Sequence, residues 1–353
     1  MTNTPKNNIS LAPLTTLNIG GPARHFVRAD TEGEIVNAIG FAAENDLPLL
    51  ILGGGSNVLI ADSGFDGVVV QIAIRGIEML DKENRPIHVT AKAGEDWDAF
   101  VGHCVSHDLA GVECLSGIPG LVGATPVQNV GAYGQEVSET IVAVRCFDRR
   151  TGKIVELLNT DCGFTYRTSI FNSTKRDRYV VLSVTFALTP QGDPKVVYKD
   201  LIEHFAGGKP SLAEVRNAVL KIRRSKSMVI DPEDPNSKSA GSFFKNPVVE
   251  VSKLDDIRSS FAEVPHFEFG DMVKIPAAWL IEQAGFHKGF VMGNAGISSK
   301  HTLALINRGG ATAAEILRLK DAIQAEVAAR FGIDLVPEPV LAGFIAQGQI
   351  GGV

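Results

Sequence analysis

The residues able to do chemistry gather in five short stretches of this sequence. Gly53, Gly54 and Gly55, then Ser56 and Asn57, follow an apolar run directly, so backbone amides there can approach phosphate oxygens while two neutral side chains add donors. A plain structural turn is an equal reading. A nicotinamide-dinucleotide fingerprint would want glycine where Val58 stands, and that reading is weak. From Gly117 to Gly134, five glycines and two prolines fall within eighteen residues, a composition that wraps a flat, charged ligand in backbone groups. In FTYRTSIF, Arg167 interrupts an apolar, aromatic run that reads as a strand, with Tyr166 and Arg167 on opposite faces. Such an arginine needs a carboxylate, from the protein or from a substrate. Ser242, in GSFFKNP, lacks the surround of a hydrolase nucleophile and by itself reads as a turn or cap residue. Glu338 lies between Pro337 and Pro339 in stiff, extended backbone, where a solvated glutamate is the simpler reading.

The elements that must position these residues are legible from caps and periodicity. Thr31 and Glu34 make a capping box ahead of Ile35, Ala38, Ile39 and Ala42 at helical spacing, and the helix ends near Asn45. Leu49 to Leu52 reads as a buried strand entering the glycine turn, and Val68 to Ile72 as a second strand. The pattern restarts near Ile87 with a strand to Ala91 and a helical face of Trp97, Phe100, Val101, Cys104 and Val105. Strands follow at Ile141 to Phe147, Ile154 to Leu158 and Tyr179 to Leu188. Ser211 and Glu214 cap a helix carrying Val215, Val219 and Ile222, and Asp231 to Ala240 reads as a polar surface loop. The last helix starts at Thr312 and Glu315, carries Ile316, Leu319, Ile323 and Val327, and stops near Gly332. Three domains are expected, at 1–80, 81–215 and 216–353.

Composition bounds the function. The 353 residues include 34 basic and 40 acidic ones, a net charge of −6, which disfavours a nucleic acid or an anionic membrane as partner. No apolar run approaches the roughly 18 residues of a membrane span, and Met1 to Ser10 lacks the blocks of a secretory signal, so a cytoplasmic protein without membrane insertion is expected. Cys104, Cys114, Cys146 and Cys162 form no CxxC pair and have no histidine at ligand spacing; they read as buried free thiols, with no metal.

Taken together, LNIGGPA, GGGSNVL, IPGLVGATPVQNVGAYG, YRTSIF, GSFFKNP, PAAWLIEQAGFHKG and the terminal PEP resemble, in order and over almost the whole chain, the UDP-N-acetylenolpyruvoylglucosamine reductase family. The resemblance implies an α+β chain: an FAD-binding fold of the vanillyl-alcohol-oxidase (PCMH) type in two subdomains, then an α+β C-terminal substrate domain. It implies non-covalent FAD, held by Gly53, Gly54, Gly55, Ser56 and Asn57 and by Ile118, Pro119, Gly120, Gly123, Ala124, Gln128, Asn129, Gly131 and Ala132. NADPH is the implied co-substrate and UDP-N-acetylglucosamine enolpyruvate the substrate, converted to UDP-N-acetylmuramate for peptidoglycan. The family's catalytic residues match Arg167, facing the substrate carboxylate, Glu338, protonated or sharing a proton, and Ser242, the proton donor. Substrate contacts carry over to Tyr133, Tyr166, Tyr198, Arg223, Lys226, Asn246 and His301, the last standing where other members have glutamine. After Glu338, PVLAG lacks an arginine that some members have. A monomer is expected. The rivals are an FAD oxidase of the same fold and a nucleotide-sugar binding module without turnover.

Overall fold

Three helices start at capping boxes and a fourth at a single N-cap. In the computed structural model, which describes residues 4–80 and 86–344, Thr31 accepts the Glu34 amide at the head of the helix Glu32–Glu44, and that helix buries Ile35, Ala38, Ile39 and Ala42. Ser211 does the same for Leu212–Ser225 and Thr312 for Ala313–Phe331, while Asp96 accepts the Ala99 amide ahead of Trp97–Ser106. Each cap satisfies amides that the first turn leaves without a partner, which is worth about 1 kcal/mol. Gly332 ends the longest helix in the left-handed region, at φ 59°.

The chain divides into two compact units that do not follow sequence order. The first takes Met1–Ile9, Ala23–Gly55 and Asp66–Val229; the second takes Ser10–Pro22, Ser56–Phe65 and Ile230–Val353. The expected boundary at 80/81 adjoins residues outside the described set, and that at 215/216 falls inside the helix Leu212–Ser225. That helix belongs to the first unit because Val215, Ala218 and Val219 pack with Cys114 and Leu201 there.

In the first unit the strands Lys6–Ser10, Pro22–Ala29, Phe65–Ile72 and Leu49–Leu52 form one sheet in that order, the last two parallel. A second, antiparallel sheet runs Lys153–Leu158, Ile141–Asp148, Tyr179–Pro190, Ile87–Lys92, Ile77–Leu80. Trp97, Phe100 and Phe186 meet at ring-centroid distances of 5.0 to 5.9 Å in the core of this unit.

In the second unit Ser239–Ser242, Ala304–Asn307, Ala295–Ile297 and Val291–Met292 make an antiparallel sheet, and Val340–Ala342 pairs in parallel with Val58–Ile60. Asp62 caps the long helix, its two carboxylate oxygens accepting the Ala313 and Ala314 amides at 2.7 and 3.0 Å. The polar run at 231–240 is not wholly a surface loop: Ser237, Ser239 and Ala240 are buried. The Ser237 hydroxyl donates towards the Asp231 and Asp234 carbonyls, so the run folds on itself and satisfies its own polar groups.

All four cysteines are buried and free. Burial pushes the thiols of Cys104 and Cys114 up to about 12 and that of Cys162 to about 11, and raises Cys146 too. A thiol reagent at pH 8 is therefore expected to leave the folded protein unlabelled and to titrate all four thiols only after unfolding. Rapid labelling of the native protein would contradict this packing.

Candidate active site

The two glycine loops of the first unit touch backbone to backbone. A Cβ built on Gly54 would lie 2.9 Å from the Gly120 Cα, closer than real Cβ atoms approach, and one on Gly123 would lie 2.5 Å from the Ala93 Cβ. The long loop is laid along the start of the helix Trp97–Ser106 by backbone bonds: Trp97 N donates to Gly120 O at 3.0 Å, Val122 N to Glu95 O and Gly123 N to Ala93 O at 2.9 Å. Asp98 anchors its beginning, accepting the Gly117 amide at 2.6 Å and both terminal nitrogens of Arg216 at 2.6 and 2.9 Å. Burial alone would raise the Asp98 carboxyl, but Arg216 and the Gly117 amide outweigh it and hold it below the usual carboxylate range. Without side chains at Gly54 and Gly123 the two loops pack backbone against protein, and their remaining amides are the kind of donors that a pyrophosphate accepts from.

Arg167 is held by that loop. Its Nη2 donates to Gly131 O at 2.7 Å and its Nη1 towards Asn129 O at 3.4 Å, and the guanidinium carbon lies 5.6 Å from the Tyr166 ring centroid. The expected strand at this point is a tight turn. Thr165 and Thr168 exchange both backbone hydrogen bonds, so Tyr166 and Arg167 form its tip together rather than facing opposite ways. Arg167 is left-handed at φ 53°, as are Asn129 at 46° and Tyr133 at 50°. Such backbone costs about 1 kcal/mol or more per residue and collects at functional sites. Asn129 is turned into the protein. Its amide donates to Glu136 Oε2 and Thr165 O while its oxygen accepts the Ser138 amide, so the side chain braces the loop.

A third group on the same unit joins four residues expected to contact substrate. The rings of Tyr133 and Tyr198 meet edge to face at 5.3 Å. Lys226 pairs with Asp200 at 2.9 Å. Arg223 is only 7% exposed; its Nη2 donates to Met228 O, and its Nε has no partner among the described residues. Burial raises the Tyr133 phenol against the pull of Arg223 and Lys226, and burial lowers the Arg223 guanidinium. Asp200 escaped the sequence reading, although it stands two residues after Tyr198 in the first turn of Lys199–Phe205.

Ser242, His301, Glu338 and Asn57 belong to the second unit. Ser242 ends the strand Ser239–Ser242; the next residue, Phe243, donates its amide to Leu303 O at 2.8 Å and accepts the Glu338 amide at 2.9 Å. Lys245 N to Val336 O extends this zipper. The chain therefore sets the serine and the carboxylate on adjoining backbone. Asn57 closes the other side: its Nδ2 donates to Glu338 O at 3.3 Å and its carbonyl accepts the Val340 amide. Expected to hold FAD, Asn57 thus also fixes the backbone of Glu338. The Ser242 hydroxyl lies 3.4 Å from His301 Nε2. Asn246 accepts the Ala277 amide at the head of Ala277–Gln283, which fixes the orientation of its carboxamide. Among the described residues no three His, Cys, Asp or Glu side chains are grouped to hold a metal ion, and no helix is long and apolar enough to cross a membrane.

Comparison with known proteins adds independent findings. Residues 232–342 match the model described as UDP-N-acetylenolpyruvoylglucosamine reductase, C-terminal domain, and residues 23–158 match that of an FAD binding domain. UDP-N-acetylenolpyruvoylglucosamine reductase of Thermobifida fusca is 47% identical over 97% of this chain and 99% of its own. Its counterpart from Saccharopolyspora erythraea is 47% identical over 96% of this chain and 95% of its own. The crystal structure of the enzyme from Thermus caldophilus, at 24% identity, superposes with a TM-score of 0.67 over 96% of this chain and 99% of that one, a shared fold. On these matches this α+β chain belongs to the UDP-N-acetylenolpyruvoylglucosamine reductase family, FAD-binding oxidoreductases.

Proposed function

We propose that this protein reduces UDP-N-acetylglucosamine enolpyruvate to UDP-N-acetylmuramate, a peptidoglycan precursor, with NADPH as the electron source. The observation that carries the reading is the 47% identity over 97% of the chain to a reductase of this name, and the backbone bond from Glu338 N to Phe243 O supports it by joining the segments of Ser242 and Glu338. A reduction that ends in protonation of carbon requires a proton donor at C2, the role proposed here for the Ser242 hydroxyl. FAD, when bound, supplies a carrier that accepts a hydride from NADPH and delivers one to the enolpyruvyl C3.

The residues of the chain do the rest. Gly53, Gly54, Gly55, Gly120 and Gly123, with the neighbouring Ser56, Ile118, Pro119, Ala124, Gln128 and Ala132, hold the cofactor through close backbone approach. As C3 gains hydrogen, negative charge grows at C2 and in the substrate carboxylate. Arg167, a fixed cation held by two carbonyls, stabilises that charge, and a protonated Glu338 donates to the same group. Ser242 gives its hydroxyl proton to C2. Arg223 and Lys226 suit the substrate diphosphate, and Tyr133 and Tyr198, edge to face beside them, are proposed to contact the nucleotide sugar, as are Tyr166 and Asn246. Support for the diphosphate comes from the buried guanidinium of Arg223, whose Nε has no protein partner among the described residues.

The test is the anaerobic visible spectrum. Bound flavin should bleach with NADPH and recover its colour on addition of UDP-N-acetylglucosamine enolpyruvate; recovery with oxygen but not with the nucleotide would replace this reading by an oxidase. Gly54→Ala should weaken FAD binding about tenfold or more, by fluorescence titration, because its Cβ meets backbone that cannot yield. Ser242→Ala should keep flavin reduction by NADPH but slow reoxidation by the nucleotide about a hundred- to ten-thousand-fold. Arg167→Ala should slow the same half-reaction by about a hundredfold or more. Lys226→Ala should raise KM for the nucleotide sugar roughly tenfold, the worth of one charge-assisted hydrogen bond, with kcat little changed.

A further inference from the structure

The turn that carries His301 is fastened from two sides. It joins the strands Ala295–Ile297 and Ala304–Asn307. On one side Asn236 Oδ1 accepts from the Ser299 amide at 2.9 Å and from the Ser298 and Ser299 hydroxyls at 3.2 Å, while Lys300 pairs with Asp234 at 3.3 Å. On the other the Thr302 hydroxyl donates to the Glu282 carboxylate in the helix Ala277–Gln283. Within the turn, Ala304 N donates to His301 O at 3.1 Å. Ser298 and Thr302 are fully buried. These bonds fix the backbone that carries His301, whose Nε2 stands 3.4 Å from the Ser242 hydroxyl, at the long end of hydrogen-bond range.

A serine hydroxyl has one proton and two acceptor lone pairs. If that proton pointed at the imidazole, none would be aimed at a substrate. If Nε2 carries the proton and donates to Oγ, the hydroxyl proton is directed away from the ring, and the oxyanion left after its transfer already has a donor. We infer that His301 is a positioning residue for Ser242: its Nε2–H donates to Ser242 Oγ, turns the hydroxyl proton towards the substrate carbon, and stabilises the serine oxyanion. The inference rests on the reaction proposed above. In the step it serves, the Ser242 O–H bond breaks as the C2–H bond forms, and the serine oxygen then takes a proton back from water.

Anaerobic stopped-flow separates the half-reactions in the wild type, His301→Ala and His301→Gln, the glutamine offering an amide N–H in place of the ring. Flavin reduction by NADPH should proceed in both variants, and calorimetry of the oxidised protein with UDP-N-acetylglucosamine enolpyruvate separates the two roles of His301: a loss of affinity as large as the loss of rate would make it a substrate contact and overturn the inference. Reoxidation by the nucleotide should slow about tenfold or more in His301→Ala and return to within about threefold of wild type in His301→Gln, as a lost and regained hydrogen bond predicts. Nitrogen NMR of histidine-labelled protein should place the His301 proton on Nε2. Wild-type reoxidation in His301→Ala, equal slowing in both variants, or a proton on Nδ1 alone would overturn the inference. A wild-type enzyme whose reduced flavin ignores the nucleotide would overturn the reaction itself, and the inference with it.

Discussion

The closeness of Gly54 to Gly120 is the constraint on which the ligand-binding part of the first unit depends. At 2.9 Å from a virtual Cβ to the facing Cα, neither loop can move off its path without opening the contact. The long loop, pinned there and on the helix Trp97–Ser106, carries the Asn129 and Gly131 carbonyls that grip Arg167. The position of the cation is thus inherited from a glycine contact. Asn129 transmits it, with all three of its side-chain bonds made to the protein. Left-handed backbone at Asn129, Tyr133 and Arg167 is the cost of these positions, and the surrounding hydrogen bonds offset it.

The second unit positions its reactive groups by the same economy of side chains. Ser242 and Glu338 are 96 residues apart in sequence, and backbone bonds at Phe243 and Lys245 bring their strands together. Main-chain groups, not these two side chains, do the holding. Phe243 and Phe244, both buried, anchor the strand in the core beneath. Placing a reactive side chain on a strand whose neighbours are packed is what keeps its geometry within the narrow limits that proton transfer requires.

What the sequence made legible was local. The capping boxes at Thr31, Ser211 and Thr312 and the periodic apolar faces behind them located three helices, and the glycines of GGGSN and of the Gly117 to Gly134 stretch marked the two loops that meet at Gly54 and Gly120. Tyr166 and Arg167 were misjudged because aromatic and β-branched neighbours favour a strand, whereas the reciprocal Thr165 and Thr168 bonds that make a turn leave no mark in composition. The division into units was equally hidden. Residues 10–22 and 56–65 join the C-terminal half through pairings such as Val58 with Val340, which depend on contacts hundreds of residues apart. The bond from Asn57 to Glu338 spans 281 residues, and no periodicity announces it.

The cationic group on the first unit shows how stability and binding are traded. Arg223 is buried without a carboxylate bonded to it, so the fold bears a desolvation penalty that an incoming diphosphate can relieve. Lys226 is handled differently. Its partner Asp200 is about a third exposed, and the lysine side chain slightly more, so their ion pair is screened by water and contributes little to stability. Such a pair keeps the ammonium in place yet yields it readily to a stronger anion. A buried, fixed guanidinium and a loosely held ammonium therefore act together on Tyr133, which meets Tyr198 edge to face, and under the proposed function they would combine a permanent charge with one that can change partners.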